Sequence, residues 1–360
     1  MGIYSRMEYA LAFLHRRERR RRYQNRVFRT RVSFLNPSDS ECISHLQLSK
    51  QIIADICQLL QADLERDTGR YNTLPVALKV TAALAFFATG SFQRTVGAIA
   101  GISQSAVNGA VHEVTAALVK RAGQFIRFPM SHELQEQTRQ EFFLKFGFPR
   151  VLGAIDCTHV QLQAPMQNSH IYINRKGVYS VNVQVVCDAN NIITHVFANY
   201  PGSAHDSFIL ANSQMPGVFE QDDSLSGWLI GDNGYPLKRW LMTPFCNPST
   251  PAEHRYNRAI TSTRSVIEST FGMLKMRFRC LDRSDLTLQY SPQNVSKFFV
   301  ACCVLHNIAI RNGCRIDLPE DTLQAFREYE AGLHVPIGEA PVAATARQIR
   351  EHLVQKFFSQ

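Results

Sequence analysis

Val151-Leu-Gly-Ala-Ile-Asp-Cys-Thr-His-Val-Gln-Leu-Gln163 is the stretch on which the fold turns. Residues 151–155 form an apolar run that reads as a buried strand ending on Asp156, and residues 160–163 read as a second, short strand. Working outward, residues 178–187 alternate, with Val181, Val183 and Val185 against Asn182 and Gln184. Asn190-Asn191 is a turn signal before a strand at 192–199, so these two runs are expected to pair antiparallel. A helix is predicted near 205–213, and Trp228-Leu-Ile-Gly231 reads as another buried strand, ending on Asp232. Strand ends are where an open α/β sheet presents functional groups. The pattern predicts an α/β fold, a ribonuclease-H-like mixed sheet with flanking helices.

Around this core the sequence predicts helices. Upstream, one covers residues 4–24. Another starts at Glu41 under a Ser40 cap and runs through Ile43, Leu46, Ile52, Ile53 and Ile56. Pro75 opens a third, which stops at Thr89-Gly90. Residues 93–121 have helix-turn-helix syntax, with Gly101 in the turn and Ser103 as the second cap, and a helical bridge spans 130–148. Downstream, a short helix is predicted at 236–242, a loop at 243–260, and helices at 263–278 and 292–311. Residues 317–330 carry five acids opposed by Arg327 alone, a linker follows around 336–341, and an outer helix covers 343–357; no chemistry is read there. The resulting division is a basic arm at 1–32, a helical domain at 33–148, the ribonuclease-H-like α/β domain at 149–312, and an acidic linker with a C-terminal helix at 313–360.

Composition narrows the class. Hydrophobic residues make up 45% of the 360 and charged ones 19%, as in ordinary globular proteins. No apolar run approaches the roughly 20 residues that span a bilayer, so no membrane is expected. Nine cysteines without regular spacing argue against a disulfide framework or zinc finger and fit a reducing compartment. The net charge of +9 is concentrated in residues 1–32, which carry ten arginines against Glu8 and Glu18. Such an arm suits nucleic acid or nuclear import.

Four carboxylates carry the chemistry: Asp156, Asp206, Asp232 and Glu268. Hard Mg²⁺ or Mn²⁺ takes carboxylate oxygens, and crowded carboxylates need a cation. Asp206 lies in Tyr200-Pro-Gly-Ser-Ala-His-Asp206, leading into a helix that it could also cap. On the helix after Arg264, Ile267, Phe271, Leu274 and Phe278 form a buried stripe, with Glu268 beside it. The plain alternative for Glu268 is a surface ion pair with Arg264. His159 and His205 read first as structural residues, with metal ligation or phosphate contact as the alternative, and Asp188 is a turn former. Arg175, Lys176, Arg255, Arg258, Arg264, Lys275 and Arg279 are candidate DNA-binding residues.

Five runs, Gly153-Ala-Ile-Asp-Cys-Thr-His159, Asn174-Arg-Lys-Gly177, Tyr200 to Asp206, Gly231-Asp-Asn-Gly-Tyr235 and Arg264-Ser-Val-Ile-Glu-Ser-Thr-Phe-Gly272, occur in the order seen in PIF/Harbinger DDE transposases. The chain resembles that family from about residue 40 onward. The resemblance implies Asp156, Asp232 and Glu268 as the catalytic triad, with Asp206 as an additional metal-binding acid. Cys157 departs from the glycine common after the first Asp. The resemblance further implies a domesticated, divalent-metal-dependent DNA endonuclease without autonomous transposition, partnered by DNA and a Myb-like nuclear protein. The reading adds a homo-oligomer and a nuclear location with a cytoplasmic pool. The competing expectations are a DNA-associated adaptor that has lost catalysis and a phosphohydrolase acting on small esters.

Overall fold

The computed structural model describes residues 38–65, 74–221, 225–282, 287–314, 316, 319–332 and 344–359. The expected helix at 4–24, the basic arm and the linker near 336–341 lie outside them. Chain order begins with helices α1 (Asp39–Leu46), α2 (Lys50–Leu64), α3 (Val76–Thr89), α4 (Gln93–Ala100), α5 (Gln104–Lys120), α6 (Ala122–Phe125) and α7 (His132–Phe146). Strands β1 (Val151–Gln161), β2 (Ser180–Cys187) and β3 (Ile193–Pro201) follow, then α8 (Asp206–Asn212), α9 (Met215–Gln221), β4 (Trp228–Ile230) and β5 (Leu241–Met242). The described chain closes with α10 (Pro251–Arg277), α11 (Pro292–Arg311), α12 (Glu320–Ala331) and α13 (Ala344–Phe358).

The five strands make one open, mixed sheet in the order β3-β2-β1-β4-β5. β1–β2 and β2–β3 are antiparallel, while β4 runs parallel to β1 and β5 parallel to β4. Alternation sends successive β1 residues to opposite faces. Ala154 and Val160 join Val181, Val183 and Val185 in the larger core, which includes residues of α10 and α11. Ile155 and Cys157 join Val186, Leu229 and Leu241 in a smaller one with Ile209, Phe219 and Trp240. The larger core also takes in Phe86, Phe87, Val111 and Val114 from the N-terminal helices, so helices and sheet share one interior.

Several elements depart from the sequence expectation. β1 is continuous, so Asp156 stands in mid-strand rather than at a strand end. Cys157, Thr158 and His159 keep the ladder going opposite Gln184, Val183 and Asn182. Ser38, not Ser40, caps α1, accepting from Glu41 N while Glu41 returns a carboxylate to the Ser38 N–H. The chain breaks at Gln47 (φ 61°), and Ser49 caps a separate α2. Residues 236–242 hold β5 rather than a helix. The expected loop at 243–260 is cut short by α10, which begins at Pro251 under a Thr250–Glu253 capping box. Proline is tolerated there because the first helical N–H has no intrahelical partner.

The helix pair at 93–121 forms as read. Gly101 takes φ 68° between α4 and α5, and Ser103 caps α5 through Ala106 N. Val107, Ala110, Val111, Val114 and Leu118 bury one side of α5, leaving Gln104, Ser105 and Asn108 exposed.

Candidate active site

Register brings two acids to one level. Ala154 on β1 pairs with Ile230 on β4, and the strands are parallel, so Asp156 and Asp232 each follow two residues after that last pair, and both carboxylates act on Arg264. β4 has ended there, whereas β1 continues. Asp156 is 4% exposed. Its Oδ1 accepts from the Cys157 N–H at 2.8 Å, and its Oδ2 accepts from Arg264 Nη2 at 2.7 Å.

Glu268 reaches the same place from α10, which packs across β1. One turn before it, Arg264 lies 3.6 Å from Glu268 Oε1, so a single guanidinium links Asp156 and Glu268. Burial works against the Arg264 charge, but the Asp156, Asp232 and Glu268 carboxylates outweigh it and hold the group protonated above its ordinary range. The surface-pair reading of Glu268 and Arg264 therefore captures only part of the contact. The other Glu268 oxygen, Oε2, accepts from Arg327 Nε on α12 at 2.8 Å, and Arg327 Nη1 also meets Glu320 at 3.2 Å.

Asp206 approaches from the far side of the sheet. It is the first residue of α8, with His205 rather than Asp206 at the N-cap. Its Oδ1 accepts from Asn182 Nδ2 on β2 at 3.2 Å. Asp232 Oδ1 accepts from the Gly234 N–H at 2.8 Å. A Cβ added at Gly234 would stand 3.0 Å from Asp232 Oδ1 and 3.2 Å from Asp206 Oδ2. A side-chain-free residue therefore keeps the space between these two carboxylates open. Cys157 points to the opposite face from Asp156 and meets Tyr235 Oη at 3.2 Å. Burial pushes both this thiol and the phenol well up, so both stay neutral behind the acids.

Among the described residues, no three His, Cys, Asp or Glu side chains are grouped so as to hold a metal ion. The donor chemistry nevertheless suits a hard cation, because all four acids offer carboxylate oxygens and the gap at Gly234 lies between two of them.

Comparison with known proteins gives this geometry its context. Residues 155–307 match the family described as DDE superfamily endonuclease. The human protein named "Putative nuclease HARBI1" is 44% identical over 276 residues, 77% of this chain and 79% of its own length. Its Xenopus laevis counterpart is 37% identical over 322 residues, 89% of this chain and 91% of its own length. The chain belongs to the HARBI1 family of Harbinger-derived nucleases. More distantly, it is 29% identical over 301 residues to the Arabidopsis thaliana "Antagonist of like heterochromatin protein 1", covering 77% of this chain and 75% of that one. No solved structure matches it.

Within this HARBI1-family chain the basic candidates have unlike surroundings. Arg175, Arg258 and Arg279 are exposed, and Arg175 Nη2 bonds His205 Nδ1 at 2.9 Å. Lys176 is half-buried. Arg255 Nε donates to the Phe358 carbonyl oxygen, tying α10 to α13. Lys275 is buried and donates to the His159 carbonyl oxygen at 3.2 Å, while Arg264 lies among the acids. His159 Nδ1 lies 2.9 Å from Ser180 Oγ. Asp188 accepts from the Asn190 and Ile192 N–H groups, as a turn former does.

Sequence reading passed over three residues. Asn182 counted only as an alternating strand position, and Gly234 only as part of a motif. Arg327 was visible as the lone base in an acidic stretch, but nothing local named Glu268 as its target.

Proposed function

We propose that the chain is a divalent-cation-dependent DNA endonuclease built on a ribonuclease-H-like core. The observation that carries this reading is the convergence of Asp156, Asp232 and Glu268 on Arg264, with Asp156 and Asp232 each two residues past the last β1–β4 pair. The strand order and the match to DDE superfamily endonucleases support it.

Asp156, Asp206, Asp232 and Glu268 would hold Mg²⁺ or Mn²⁺, which when bound supplies an activated water and stabilises the leaving oxygen of the phosphodiester. Asp156, Asp232 and Glu268 are the catalytic acids in this reading. The chain's own residues prepare the site: Asn182 orients Asp206, the Gly234 N–H orients Asp232, and Arg264 offsets the repulsion between Asp156 and Glu268. Arg175, Lys176, Arg258 and Arg279 would meet the DNA backbone, and the α4–α5 pair would add contacts through Gln104, Ser105 and Asn108.

A second reading has an observation in its favour. Two guanidinium groups already balance Asp156 and Glu268, as suits an adaptor that binds DNA beside a Myb-like nuclear protein without cutting it. Supercoiled DNA with Mg²⁺ or Mn²⁺, with and without that partner, separates the two. Nicking that Asp156→Asn, Asp232→Asn and Glu268→Gln each reduce by about 100-fold or more supports the endonuclease. Binding without nicking under every condition selects the adaptor.

A further inference from the structure

We propose that a recess beside Asp206 receives a single base of the DNA, turned out of the duplex next to the phosphodiester to be cut. The proposal rests on the endonuclease reading and names a substrate-holding site for it.

The recess has a volume of about 240 Å³. Five separated segments meet there: His159 from β1, Arg175 from the loop before β2, Asn182 from β2, His205 from the turn before α8, and Gly234 from beyond β4. All but Asn182 belong to the sequence runs singled out above, and three of those runs also carry a site acid, Asp156, Asp206 or Asp232.

The inner wall specifies what enters. Asn182 is 1% exposed, and its Nδ2 donates to the Ala204 carbonyl oxygen at 3.0 Å and to Asp206 Oδ1 at 3.2 Å. Two acceptors on one end of the amide fix which end is nitrogen. The other end, Oδ1, is buried without a hydrogen-bond partner. A buried carbonyl oxygen left in that state favours any ligand that brings a donor. Asp206 on the same wall disfavours an anion, so the inner end suits a base N–H and not a phosphate.

The mouth has the opposite character. A guanidinium can only donate, so the 2.9 Å contact makes His205 Nδ1 an acceptor and leaves Arg175 further donors for a backbone phosphate. Ile173, 38% exposed, adds an apolar wall against which a base face can lie. At this volume the recess falls below the roughly 300–1,000 Å³ of drug-sized ligand sites, which fits one base and excludes a base pair. A stacked base cannot reach Asn182, so entry requires extrusion.

The test uses the full chain and duplexes carrying 2-aminopurine at successive positions, whose fluorescence rises when the base leaves the stack. Anisotropy of an end label reports binding separately, with Ca²⁺ in place of Mg²⁺ to hold the strand uncut. A several-fold rise at one position near the mapped cut is expected from the unaltered chain. Ser203→Phe fills the recess from an exposed wall position, and should abolish the rise while leaving binding within a few-fold. Asn182→Leu should abolish it as well, by removing the acceptor. A duplex that is bound and cut with no position brightening would overturn the proposal, as would brightening that survives both substitutions. A duplex neither bound nor cut would instead remove the endonuclease reading, and this inference with it.

Discussion

At the scale of single residues, Arg264 and Gly234 do most to define the site. Arg264 lies half-buried among carboxylates, and removing it leaves the buried Asp156 uncompensated, at no more than about 3–5 kcal/mol. Arg264→Gln should therefore lower the thermal midpoint of the ion-free protein, with part of the loss restored by Mn²⁺ as a substitute counter-charge. A midpoint unaffected by the substitution would refute that role. Gly234→Ala should act differently, because its Cβ meets Asp232 at 3.0 Å and Asp206 at 3.2 Å without entering a core. Cation affinity measured by calorimetry should fall about tenfold, roughly 1.4 kcal/mol, with little change in melting. The four acids stood out as candidates because each sits in a short, recognisable run. Arg264 was read for phosphate, since nothing in a one-dimensional spacing reveals that β1 will lie against α10 at Asp156.

At the scale of elements, buried polar residues explain what the pattern concealed. The apolar run ends at Ile155, but β1 continues through Thr158 and His159, which are buried too. Burial without apolarity has no periodic signature. The two residues of β5 are too few for any period, and the prolines before α10 looked like loop until Pro251 proved to be its first residue. Two buried histidines give these elements a pH dependence. Burial lowers His195 on β3 and His306 on α11 from 6.5 to about 4. Each folded value lies below the unfolded one, so their contribution is complete above about pH 6.5 and is lost as pH falls towards 4. Asp188, raised by burial to about 6, opposes them by losing its share of stability as pH rises through 6. Denaturant unfolding between pH 7 and 5 should consequently show falling stability on the acid side, with a slope about 1 kcal/mol per pH unit shallower in His306→Gln. An unchanged slope would count against buried, neutral His306. On α12, Arg327→Ala removes a counter-charge from Glu268, and Mn²⁺ should then bind several-fold tighter by calorimetry. Weaker binding would instead make Arg327 a support for the site.

At the scale of the whole molecule, the boundary expected near residue 148 runs through shared packing. Phe86 and Phe87 of α3 meet the Phe298 ring of α11 at 5.7 and 6.0 Å, and Arg277 at the end of α10 donates to the Gln47 carbonyl oxygen at 2.7 Å. Residues 149–312 expressed alone would expose that apolar surface, and should lack the cooperative melting transition of the full chain in calorimetry. The C-terminal segment carries a related consequence. The family match ends at residue 307, which invites a boundary soon after α11, yet Arg327 reaches Glu268 from α12 beyond it. A chain shortened to that boundary keeps Asp156, Asp206, Asp232 and Glu268 but shifts the charge balance around Glu268, so its behaviour would describe a differently poised protein and not a smaller copy of this one.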